Sequence, residues 1–387
     1  MASLAPQLAV CFCCLTALMA APQSAPAPSF DDIVRRAGDA VDRNPEESVK
    51  LYQQALAMRP AYVDGWLYLG AGLYQLHRYA EAGDAFQKGI HLAPQNGTGW
   101  GFLGLCRYEL NEPAEALKAI LEGEQLELGG NQMFGAAVRT RGAQILLASG
   151  SYEDALKQLT PLSIAAISPP QAVEMAGLAA LRMQAPLATL TPEQLAMVKL
   201  AGQAEWAAMA HQVKEADTSF HDLIAKYPNE RGVHFAYGTF LREDDPKASE
   251  AEFERELSID SKNAQAFVEL ARLRITAGGT PDSAIAPARG ALQLDPHNAL
   301  AHAVLGHALL EKGEAANAIA ELEEATKLAP NELATRTDLA AAYHHAGRLA
   351  DALKEEAYVT RLRERQEFGT HSFLARRLPV SGGAAAK

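Results

Sequence analysis

Trp66-x2-Leu69-Gly70-x2-Leu73, then Ala82-x3-Phe86, then Pro94: thirty-four residues later the chain repeats itself as Trp100-x2-Leu103-Gly104 and Ala116-x3-Ile120. Pro60 precedes Pro94 by the same interval. Toward the other end Ala284, Ala318 and Ala352 keep step, as do Pro296 and Pro330, Leu305 and Leu339, and Leu309 and Tyr343. A fixed period of this length marks a stack of units, each too small to bury its own apolar face. Within each unit the apolar residues fall three and four apart, the spacing of one helical face. The spacing therefore predicts an all-α solenoid of helix–turn–helix pairs.

Gly70, Gly104, Gly238 and Gly306 fall mid-helix, where glycine costs about 1 kcal/mol against alanine. That cost is explained if two helices cross there too closely for a side chain. Ala82, Ala116, Ala318 and Ala352 supply small partners on the second helix, and Phe86, Phe220 and Phe253 fill the space between units. Pro60, Pro94, Pro228, Pro296 and Pro330 follow the second helix, where proline stops it and opens the next turn. This set of Trp, Leu-Gly, Tyr, Ala, Phe and Pro offsets resembles the tetratricopeptide repeat. The resemblance implies a right-handed superhelix.

Registering on these landmarks gives units near 29–62, 63–96, 97–130, 136–169, 197–230, 231–263, 264–298, 299–332 and 333–366. The expected organisation is a signal peptide and Pro/Ala linker at 1–28, an N-terminal array at 29–169, and an irregular helical connector at 170–196. A C-terminal array at 197–366 and a tail at 367–387 complete the chain. The connector holds a helix-like stretch around Met175–Met183 and then a breaking segment between Pro186 and Pro192.

Residues 8–20 form an apolar run too short for a membrane span, followed by small residues and a Pro/Ala-rich linker. This reads as a secretion signal cleaved among Ala20, Ala21 and Ala25, although no Lys or Arg precedes Arg35. The expected location is secreted or periplasmic, with an uncleaved or lipidated anchor as the variant. Cys11, Cys13 and Cys14 lie in that segment, so cleavage leaves Cys106 alone and no disulfide framework. Cys106 reads as a buried small hydrophobe. Asn96-Gly97-Thr98 matches a glycosylation acceptor in a turn between units.

At 387 residues the chain outgrows one compact core, whereas a solenoid extends without that limit. The formal charge is −12 and no long basic run occurs, which argues against nucleic acid. Phosphate-loop, zinc-protease, nucleophile-elbow and dinucleotide signatures are all missing from the sequence. The expectation is a non-enzymatic protein with no cofactor and no metal. The remaining chemical feature is histidine: His297, His302, His307, His344 and His345. Of these, His307 and His344 are expected to share a face without a clear carboxylate, and His302 replaces the signature Trp.

In arrays of the kind this chain resembles, the second, fifth, ninth and twelfth residues of each first helix line a concave groove. Carried over, the groove comprises Asp64, Leu67, Ala71, Tyr74, Leu105, Tyr108, Gln144, Arg272, His307 and His344. Tyr74 and Tyr108 stand one period apart as an expected ladder, a residue type suited to binding surfaces. Arrays that clamp a terminal carboxylate carry Lys and Asn at these places. Here Leu, Ala, Tyr and Gly stand instead, so that subtype is set aside. The reading is a scaffold that binds a peptide or protein segment in the groove. The alternatives are an accessory subunit of an export or envelope-polysaccharide machine and, from the enzyme class, a metal-dependent activity at the C-terminal histidines.

Overall fold

The computed structural model describes residues 28–377, with side chains to 365. Among the described residues there are nineteen α-helices, one short 3₁₀ turn at Leu187–Thr189 and no strand. The expected signal segment lies almost wholly outside them. Internal contacts divide the chain into two units, with the boundary between Leu128 and Gly129.

The first unit contains α1 (Phe30–Ala40), α2 (Pro45–Met58), α3 (Val63–Gln75), α4 (Tyr79–Leu92), α5 (Gly97–Glu109) and α6 (Pro113–Gln125). The second opens with α7 (Gln132–Ala148), α8 (Tyr152–Ile164), α9 (Ala172–Ala180), α10 (Pro192–Met209) and α11 (Val213–Lys226). It continues through α12 (Val233–Leu241), α13 (Pro246–Ile259), α14 (Ala264–Thr276) and α15 (Pro281–Leu294). The last four helices are α16 (Ala299–Glu311), α17 (Ala315–Leu328), α18 (Leu333–His345) and α19 (Leu349–Arg377). Local sequence sets the helix starts. Asn44, Asn96, Asn131, Asn263 and Asn298 each accept the backbone N–H three residues on, an N-cap contributing about 1 kcal/mol. Pro45, Pro113, Pro192, Pro246 and Pro281 occupy the first helical position, where the missing N–H costs nothing.

Where the first helix carries the repeat's glycine, the helix pair is tightened there. A Cβ on Gly70 would lie 2.8 Å from the Phe86 ring, one on Gly104 2.7 Å from Ile120, and one on Gly306 2.5 Å from Leu322. The glycine therefore makes room for the large residue of the second helix. Ala82, Ala116 and Ala318 on the second helices, and Ala352 on α19, are fully buried. Phe86, Phe220 and Phe253 are likewise fully buried, and Phe86 stacks on Phe102 of the next repeat at 5.0 Å.

A second device joins each repeat to the one before. Trp66 donates its indole N–H to the carbonyl of Pro60 (2.8 Å) and Trp100 to that of Pro94 (3.0 Å). At three places where Trp is replaced the bond survives: His234 Nε2 to Pro228 O (3.0 Å), His302 Nε2 to Pro296 O (3.0 Å), and Arg336 Nε to Pro330 O (2.5 Å). Each replacement adds a carboxylate from the following helix, Glu252, Glu321 and Glu355 respectively. Both nitrogens of the buried His234 thus face acceptors. Burial opposes its charge, but the bonds to Glu252 and Pro228 O outweigh burial and raise its pKa above the ordinary value.

The repeat pattern is broken where the sequence places a connector. Helix α9 packs on α10 with Gly177 and Gly202 facing: a Cβ on Gly177 would lie 2.0 Å from the Val198 carbonyl. The same α10 then packs on α11. One helix serves as second partner to α9 and first partner to α11, so a repeat is lost by sharing. The next helix, α12, is only nine residues long and its N-terminal Gly232 has φ 82°. Its cap comes from a distance: buried Glu256 accepts from Gly232 N (2.9 Å), Phe235 N (3.2 Å) and Asn263 Nδ2 (3.2 Å). At the far end α19 runs to Arg377, past the tail boundary expected at 367. It meets none of the prolines that stop earlier second helices until Pro379.

Candidate interaction surface

Neighbouring first helices approach one another: α3 with α5, α14 with α16, and α16 with α18. Among the described residues the second helices of neighbouring repeats make no comparable approach except at the irregular segment, where α8 nears the shared helix α10. Within each unit the first helices therefore line the shorter, inner side. Side chains that bridge them mark that face directly. Tyr74 on α3 meets Phe102 on α5 edge-on at 6.2 Å. Arg242 beyond α12 reaches Glu269 on α14 at 3.5 Å, and His307 on α16 reaches Asp338 on α18 at 2.9 Å.

The expected site residues distribute unevenly over this face. Asp64 is exposed, and Ala71, Tyr108 and Gln144 are half-buried. Gln144 accepts from Arg141 at 2.9 Å. Leu105 requires correction: at 5 % exposure it offers no surface to a partner. Leu67 is mostly packing, because its Cδ2 lies where Cβ atoms of Gly89 and Gly99 would come within 3.1 and 3.2 Å. Those two glycines on α4 and α5 admit it. Tyr74 also turns toward its own protein, meeting Tyr79 at 5.2 Å in addition to Phe102. Apart from Asp64 the expected residues of the first unit's inner strip are apolar or aromatic, with Tyr74 partly committed to joining repeats.

In the second unit the strip is polar. Thr239, Arg272 and His307 are the ninth residues of successive units, one repeat apart, and each is half-buried. Sequence reasoning missed Glu205, although it is the ninth residue of the unit beginning at 197 and belongs to the same row. Arg272 is held by Glu269 on its own helix, a carboxylate that also accepts from Arg242 and Gln265. The histidines do have carboxylates beside them, contrary to the sequence expectation. His307 faces Asp338 at 2.9 Å and Glu311 at 3.5 Å, while His344 faces Glu356 at 2.8 Å. The bond to Asp338 holds the His307 pKa above its ordinary value against the opposing effect of burial. Asp338 binds Nδ1 and Glu311 binds Nε2, so these carboxylates sit at different ring nitrogens and do not converge. Among the described residues no three His, Cys, Asp or Glu are placed to hold a metal ion.

Two further sequence features acquire structural roles. Cys106 is fully buried, and burial pushes its thiol up to about 12, which removes the reactive thiolate. Asn96 caps α5, and Thr98 donates to the Leu128 carbonyl at 3.0 Å. Among the described residues no helix is long and apolar enough to cross a membrane.

Family models described as tetratricopeptide repeat match residues 41–97 and 73–126, and a further one matches 299–332. The chain carries tetratricopeptide repeats. These matches fall where the Trp, Leu-Gly and Pro landmarks are best kept. Similar solved structures include a MamA protein, 17 % identical over 44 % of this chain and 93 % of that one, with a TM-score of 0.40. Residues 41 to the end of MamA from Desulfovibrio magneticus RS-1 are 15 % identical over 44 % of this chain and 96 % of that one, with a TM-score of 0.41. No curated protein matches the chain.

Proposed function

We propose that this protein is a scaffold that binds a peptide or protein segment along the inner faces of its first helices. The observation that carries the reading is the row of half-buried polar side chains Glu205, Thr239, Arg272 and His307, one per repeat at the same helical position. An extended segment crossing stacked helices meets one such side chain per repeat, which gives periodic recognition without a deep pocket. The first unit carries inner positions of its own, among them Asp64 and Tyr108. Repeat arrays hold their framework by buried Gly, Ala and Phe contacts, so polar residues at inner positions are free to vary with the partner.

The apolar run at residues 8–20 supports export, and the partner is then sought among envelope proteins. A pull-down from envelope extract with the chain as bait tests the reading. Bait carrying Thr239→Ala and His307→Ala together loses the captured segment, while bait altered at outer positions Ala286 and Ala320 retains it. Equal capture by both baits overturns the proposed surface.

A further inference from the structure

A recess opens beside the shared helix α10. It holds about 80 Å³ between α8, α9, α10, α12 and α14, room for roughly three waters. That excludes a sugar or a nucleobase and fits the end of one side chain. Leu156, Ala179, Ala180, Phe235 and Ala236 give it apolar walls. Its charged lining is Glu153, Glu205, Glu269, Arg182 and Arg242, together with Tyr152.

The two cations are already engaged. Arg182 donates to Glu153 at 2.5 Å and lies over the rings of Tyr152 and Phe235 at 4.9 and 5.3 Å. Arg242 pairs with Glu269 at 3.5 Å and with exposed Glu243 at 4.0 Å, and Glu269 also accepts from Arg272. Glu205 takes part in none of these. Among the described residues it makes no hydrogen bond and no ion pair. It is half-buried, so solvent reaches it. A carboxylate kept partly from water without a partner is costly, and an incoming cation would relieve that cost. Thr239 also lines the recess, and its hydroxyl, which donates to Phe235 O at 2.9 Å, keeps acceptor capacity.

We infer that this recess seats a lysine side chain of the bound segment, its methylene stem against the apolar walls and its ammonium on Glu205. The inference rests on the proposed inner-face binding and adds the chemistry of one contact. Burial pushes the Glu205 carboxyl up to about 7. A bound ammonium favours the ionised form, so binding releases a proton and weakens as the pH falls through that value, approaching tenfold per unit.

The test uses n-butylammonium, which reproduces the lysine stem and head, added to the full chain labelled with ¹³C at glutamate carboxyl carbons. The Glu205 signal is the one missing from Glu205→Gln, whose unchanged melting temperature shows that it folds. The expected result is a saturable shift of that signal and a lowered apparent pKa. Sodium chloride and n-butanol at equal concentration give neither. A non-saturable shift, or one equalled by sodium, overturns the lysine seat. If butylammonium fails while the inner face still captures a partner, only this contact falls. If butylammonium binds and no partner is captured there, the contact stands and the scaffold reading falls.

Discussion

Replacing Gly70 with alanine sets two known effects against each other. Alanine gains about 1 kcal/mol of helix propensity over glycine in a helix interior. The new Cβ, however, would lie 2.8 Å from two carbons of the Phe86 ring, well inside contact distance. Phe86 is fully buried and its ring is stacked at 5° on Phe102, so it cannot yield without disturbing the following repeat. Overpacking of this kind costs about 1–3 kcal/mol. The net expectation is a first unit less stable by about 0–2 kcal/mol. Gly38 provides the control on α1 in the same unit. It is exposed, and a Cβ there would come no nearer than 3.9 Å to Tyr52 Oη. Gly38→Ala therefore keeps the gain alone, up to about 1 kcal/mol. Denaturant unfolding followed by tryptophan fluorescence reads the difference. A Trp206→Phe background leaves Trp66 and Trp100 as reporters of the first unit. If both alanines stabilise to the same extent, the close crossing at Gly70 is refuted.

Stability of the second unit is expected to fall as the pH rises above about 6.5 and through the raised folded pKa of His234. The folded pKa of His234 is raised above its unfolded value, so its contribution is complete below about 6.5 and is lost through the higher folded value. His234→Gln should flatten that dependence, and a thermal melt series with parental slope would count against the pairing. Glu256→Ala should lower the melting temperature sharply, because it leaves the two buried N–H groups of Gly232 and Phe235 at the start of α12 unpaired, at about 1–3 kcal/mol each, and frees the half-buried Asn263 amide before α14. A parental melting temperature would show that α12 is not capped from a distance. Tyr74→Ala should cost stability, though less than the ~3–5 kcal/mol of a fully buried aromatic. An unchanged melt would return Tyr74 to the binding surface.

Much of the architecture was legible because it is written as a period. The Gly-to-large-residue spacing, the buried alanines and the terminating prolines all follow from residues thirty-four apart. The link from residue to preceding proline was equally legible and was missed. Trp66, Trp100, His234, His302 and Arg336 each stand six residues after a proline, yet the eye follows identity and not the shared N–H donor. Sharing of α10 was not legible, since it depends on Gly177 and Gly202 meeting across two helices whose sequence separation fits no period. The inner surface was legible as positions and not as chemistry. Helical register finds Arg272 and His307, but only packing shows that Leu105 is covered and that Glu205 stands without a partner.

The central claim is that the inner faces of the first helices bind a partner segment. Site-specific photo-crosslinking tests it most directly, with benzoylphenylalanine placed singly at Thr239 and His307 and, as outer controls, at Ala286 and Ala320. The account predicts that the inner positions cross-link one partner segment, with adducts moving along that segment from repeat to repeat, and that the outer positions do not. Adducts formed equally or only from the second-helix positions would contradict it.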